Sequence, residues 1–172
     1  MSKEELLQAC HWDEYNWAKL EVYSEMFGRN IEVRFMPDFD SGRMITDRMV
    51  AVMNDFLALT RADLATVKQY LWEDCLRDFE EIDYGVEVAD GETHLEANQR
   101  DFGIRNAEEA YAKSSLTQLS IPEEPKLRNR YGAIDFAPEW AGHGCSIIMK
   151  NGRLIAAYSN DWYFDQYEDL KE

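Results

Sequence analysis

"CSIIMKNGRLIAAYS", residues Cys145 to Ser159, decides the fold. Two apolar runs flank the dipeptide Asn151-Gly152. That dipeptide favours a type I′ turn, because both central residues need positive φ, which Gly adopts freely and Asn tolerates. Cys145–Met149 and Arg153–Tyr158 are therefore expected to pair as an antiparallel hairpin. Alternation puts Cys145, Ile147 and Met149 on one face and Ser146, Ile148 and Lys150 on the other.

Upstream, "YGAIDFAP", residues 131–138, alternates as a strand with Ile134 and Phe136 on one face. Near the N-terminus, Lys19–Tyr23 and Asn30–Met36 form a second hairpin, joined by the turn-forming "FGRN". The remaining periodicity is helical. KEELLQA favours a short first helix. Thr46 caps a helix running through Ala58, with Asp47 in its first turn. Thr60 is expected to cap the next helix, with Asp63 at N3. Along that helix Leu64, Val67, Leu71, Cys75 and Phe79 make one apolar stripe. Glu73, Asp74, Asp78 and Glu80 read as its solvated face. Residues 84–103 read as loop with a short helical piece, and Asn106 caps a helix over Ala107–Ser114. The prolines of "SIPEEPKLRNR" make that stretch irregular or an edge segment. The expected fold class is α+β: one domain over residues 1–172, an antiparallel β-sheet with helices packed on one side and a C-terminal β-hairpin turning at Asn151-Gly152.

Composition narrows the function. The chain has 172 residues, 34 of them acidic and 18 basic, for a net charge of −16. Such a surface repels nucleic acid and anionic membranes and attracts basic partners. The acidic N-terminus lacks an apolar run of signal-peptide length, and no stretch approaches a membrane span, so the expected location is cytoplasmic. Cys10, Cys75 and Cys145 form no CxxC pair and read as buried reduced thiols.

"EWAGHGC", residues 139–145, is the one stretch where catalytic residue types gather. Nucleophilic catalysis needs a thiolate, a base within reach and an orienting group. If both lay on one strand, His143 and Cys145 would stand roughly 6–7 Å apart between Cβ atoms, too far for a direct bond. His11 and His94 are isolated, so no zinc ligand set forms. No catalytic residue, metal or cofactor is assigned. Gly142 and Gly144 instead allow a sharp bend into the hairpin. The tail "NDWYFDQYEDLKE" interleaves aromatics with acids. Asp161, Trp162, Tyr163, Asp165, Glu168 and Asp169 are its candidate partner-binding residues, since aromatics anchor interfaces and charges select partners.

The pattern F-x-P-x-W-x-x-H-G-C-x-I-I-x-K-N-G-x-L-I, Phe136 to Ile155, resembles the C-terminal signature of a bacterial domain family of unknown function. Its members carry a Trp, a Glu-His-Gly segment and a hairpin with a Lys/Asp-Gly turn. "ITDRMVAVMNDFLAL", residues 45–59, is similar to a helix of the same family. Here Ala141-Gly142 replaces the acidic residue that usually precedes the His, so any Glu–His pair of the family is missing. Members resemble immunity proteins of toxin–immunity systems. The resemblance implies an immunity protein that binds and neutralises a basic toxin domain, such as a nuclease, encoded nearby. The alternative is a small enzyme or ligand-binding protein with a pocket near Trp140, His143 and Cys145.

Overall fold

A computed structural model describes residues 1–159 and 162–170. The fold is α+β. Seven strands lie in sequence order across one sheet: β1 (His11–Trp12), β2 (Ala18–Ser24), β3 (Arg29–Met36), β4 (Ser114–Pro122), β5 (Tyr131–Pro138), β6 (Cys145–Lys150) and β7 (Arg153–Ser159). Every neighbouring pair is antiparallel except β3 and β4, which run parallel. A parallel pair needs a long crossover, and four helices fill it. They are α2 (Asp47–Leu57), α3 (Leu64–Glu81), α4 (His94–Phe102) and α5 (Ala107–Ala112); α1 (Lys3–Ala9) precedes the sheet.

The helices cover one sheet face. Val33, Phe35, Leu119, Ile121, Ile134, Cys145 and Ile147 point to that side and join the main core with Phe56, Leu71 and Phe79. The opposite face is not bare. Tyr131, Ala133 and Ile148 form a second cluster there with Phe164 and Tyr167 of the C-terminal tail. All of β6 is therefore buried. The expectation that helices sit on one side holds, and the tail supplies the other cover.

The hairpin turns where the sequence places it. Asn151 and Gly152 have φ of 48° and 83°. A Cβ on Gly152 would also meet the Asp55 side chain at 3.4 Å. Gly152→Val is expected to lower stability by roughly 1–3 kcal/mol, from strain in the left-handed region. Urea unfolding checks this, and a change below about 0.5 kcal/mol would mean that the turn relaxes at no cost.

Four local expectations are corrected. Residues 120–122 are not an edge or irregular segment. They end β4, a strand between β3 and β5, with Leu119 and Ile121 fully buried. Pro122 is tolerated because it is the last paired position. Thr60 does not start α3. Its N–H and hydroxyl donate to the Asp63 carboxylate at 2.8 and 3.1 Å, closing a turn, and the helix begins at Leu64. The acidic face of α3 is only partly solvated. Glu73 and Glu80 are exposed, but Asp74 and Asp78 are 0% and 6% exposed. The cause is tertiary: α3 contacts α4 and α5 as well as β6 and β7, so it buries more than one stripe. The helix over residues 107–114 is also shorter than expected, ending at Ala112, because β4 starts at Ser114.

Candidate functional site

The tail lies across the back of the sheet. Its apolar members are Phe164 and Tyr167, on a single 3-10 turn over Phe164–Tyr167. The Phe164 ring stacks on Tyr131 at 5.0 Å between centroids, and Trp162 stacks on Phe164 at 6.3 Å. The Trp162 indole N–H donates to Ser146 Oγ at 3.2 Å. Ser146 in turn donates to Asp135 at 2.6 Å, and Ser120 donates to the same carboxylate at 2.5 Å.

Polar latches hold the far end. Lys150 is 3% exposed, and its ammonium donates to the carbonyls of Tyr167, Glu168 and Leu170 at 2.9, 3.2 and 2.8 Å. Glu168 accepts from the backbone N–H of Asn129 and Arg128 and from the Arg128 guanidinium, at 3.1, 3.3 and 3.0 Å. Burial pushes the Glu168 carboxyl up, but the Asn129 N–H and the Arg128 guanidinium and N–H outweigh it and bring it down to about 2.

The candidate residues divide by position. Tyr163 is 58% exposed and meets Tyr158 edge-on at 6.0 Å. Asp165 is exposed, and Trp162 is half-buried. Glu168 faces inward to the backbone at 128–129, while Asp169 makes an exposed ion pair with Arg128 at 2.7 Å. Asp161 lies outside the described residues.

Between the tail and the segment before β5 runs a groove of about 470 Å³. Trp162, Tyr163, Phe164 and Asp165 form one wall; Glu124, Lys126 and Leu127 form the other. Burial pushes the Glu124 carboxyl up; Arg48 pulls it down, and Asp165 and Asp38 push it up again. The groove thus combines aromatic walls with a carboxylate whose surroundings favour added positive charge. Glu124, Lys126 and Leu127 are the residues sequence reading missed. They lie about forty positions from the tail, and no local pattern links the two.

The Trp140–Cys145 stretch is built differently. Trp140 and Cys145 are 2% and 0% exposed and belong to the core. Burial pushes the Cys145 thiol up, and Asp74 beside it adds to this. That environment disfavours the thiolate a nucleophile needs. His143 turns to α3 instead, with Nε2 at 3.9 Å from Asp78 Oδ2. Cys10 and Cys75 are likewise buried and free. Among the described residues no group of three or more His, Cys, Asp and Glu side chains is placed to hold a metal ion, and no helix is long and apolar enough to cross a membrane.

Neither a curated protein nor a solved structure matches the chain. A family model described as Domain of unknown function (DUF6985) matches residues 5–164, which takes in the whole sheet, most of α1, all of α2 to α5, and the tail up to Phe164. With most of its length matched, from within α1 to Phe164, this chain belongs to the DUF6985 family.

Proposed function

We propose that this protein is a cytoplasmic immunity protein, which binds and neutralises a basic toxin domain encoded nearby. The observation that carries the reading is the groove along the tail. It has an exposed Tyr163, a half-buried Trp162, and the carboxylates of Glu124 and Asp165 at its rim. A cationic side chain of the partner fits between ring faces and carboxylates. The aromatics supply anchoring area, and the net charge of −16 supplies attraction at a distance. A toxin that cuts nucleic acid must bind phosphates and is therefore basic, which makes such a domain the matching partner.

Binding to the purified product of the adjacent gene tests this. The on-rate is expected to fall steeply with salt while the off-rate changes little, because steering acts before contact. Tyr163→Ala should mainly raise the off-rate by removing an anchor. Joint replacement of Glu124 and Asp165 by Gln and Asn should mainly lower the on-rate. A folded Tyr163→Ala variant with unchanged kinetics would remove the groove from the interface. Failure of this protein to protect cells expressing the neighbouring gene would end the immunity reading.

A further inference from the structure

Asp74 and Asp78 stand one turn apart on α3, and both are buried. Asp74 Oδ1 and Oδ2, Asp78 Oδ2 and the Trp140 indole nitrogen are all buried without a hydrogen bond of normal geometry. The titratable and charged groups around the pair come from several elements. Arg77 and Cys75 share α3; Tyr84 follows it; His143 comes from the loop before β6, with the neutral Trp140 indole beside it, and Cys145 from β6 itself. Arg77, 3.4 Å from Asp74 Oδ1, has a side chain 41% exposed, so water screens its charge. His143 reaches Asp78 only at 3.9 Å.

Two carboxylates this close and this buried cannot both ionise cheaply. Each loses hydration, and each repels the other in a medium of low dielectric. The Cys145 thiol beside Asp74, the Trp140 indole beside Asp78, His143 and the partly solvated Arg77 favour the charged forms, but burial outweighs them. A carboxylic acid O–H, by contrast, would give one of the unpartnered oxygens a hydrogen-bonding role. We infer that Asp74 and Asp78 together bind a proton on folding and hold it at neutral pH, making the junction of α3 with the Trp140–Gly144 loop a proton-sensitive clamp. The proton belongs to the pair rather than to either residue. Burial, the leading cause, raises both carboxyls above their ordinary range, and for Asp78 the neighbouring Asp74 adds to it. The folded state therefore binds more protons than the unfolded chain. The stability it contributes is complete below the ordinary carboxylate range and is lost as pH rises through the folded values. This inference is independent of the binding reading, since the pair lies in the core.

The test is urea unfolding of the full chain from about pH 5 to about pH 8 at constant ionic strength. The proteins compared are the wild type, Asp74→Asn, Asp78→Asn, His143→Asn and, as a control for general charge repulsion, the exposed Asp90→Asn. The wild-type unfolding constant is expected to rise by up to about tenfold per pH unit, the slope of one proton. Asp74→Asn and Asp78→Asn should flatten that rise; His143→Asn and Asp90→Asn should keep it. A flat wild-type profile overturns the inference, and so does a slope that survives in both α3 variants or disappears with His143 alone. Should the α3 variants fold poorly, infrared spectra of wild type carrying ¹³C-labelled aspartate decide. A protonated-carboxyl band at neutral pH supports the shared proton, and its absence overturns it.

Discussion

Trp140→Ala is expected to lower stability by about 3–5 kcal/mol, the usual range for deleting a large buried aromatic. Trp140 is 2% exposed and is the largest fully buried side chain among the described residues. It sits in the loop between β5 and β6, where the chain turns into the β6–β7 hairpin. The indole fills space beside Asp78 as well as apolar neighbours, so its loss opens a cavity next to a carboxylate. Water entering there would solvate the acid pair and soften the penalty, which is why the lower end of the range is the more natural outcome. Domains of this size are stable by only about 5–15 kcal/mol, so the variant should unfold at clearly lower urea concentration. A loss below about 1 kcal/mol would mean that the loop does not clamp the core at all.

Lys150→Met should release the tail. The substitution keeps the apolar stem and removes the ammonium that three carbonyls share. Hydrogen bonds to a charged group contribute about 1.5–3 kcal/mol each but do not add, so an overall loss of about 3 kcal/mol is expected. The effect should be local. Tyr167, Glu168 and Leu170 would turn their carbonyls to water, and the turn carrying Phe164 would lift from Tyr131. Hydrogen exchange should speed up over residues 162–170 while α3 and the central strands stay protected. If the tail carries the partner interface, affinity for the neighbouring gene's product should fall in parallel. Unchanged exchange in the tail would show that Phe164 and Tyr167 alone hold it down, and Lys150 would then be a passive buried cation.

The fold was legible wherever a local rule sufficed. The Asn151-Gly152 turn, the alternation of Ile31, Val33 and Phe35, and the stripe Val67, Leu71, Cys75 and Phe79 all sit as their spacing requires. Thr93-x-x-Glu96 is a capping box whose two hydrogen bonds, at 3.2 and 2.8 Å, start α4 inside a stretch that otherwise reads as loop. β4 was hidden for a different reason. Ser120 and Pro122 dilute its apolar alternation, and Ser120 earns its burial through a hydrogen bond to Asp135, a partner fifteen residues away.

By itself the sequence determined the α+β class, the two hairpins, the helix caps at Thr46 and Asn106, and the surplus of acids. Each of these depends on a residue and its neighbours within a turn or a strand, and local geometry carries that information. The tertiary structure alone decided the rest. It placed Asp74 and Asp78 in the core rather than on a solvated face, because α3 is covered from several sides at once. It folded the tail onto the back of the sheet, where Lys150 meets carbonyls up to twenty residues further on. It also formed the groove by bringing Glu124 opposite Trp162 and Tyr163. Burial of a charge and the walls of a groove depend on which surfaces meet, and that is a property of the whole packed chain rather than of any segment within it.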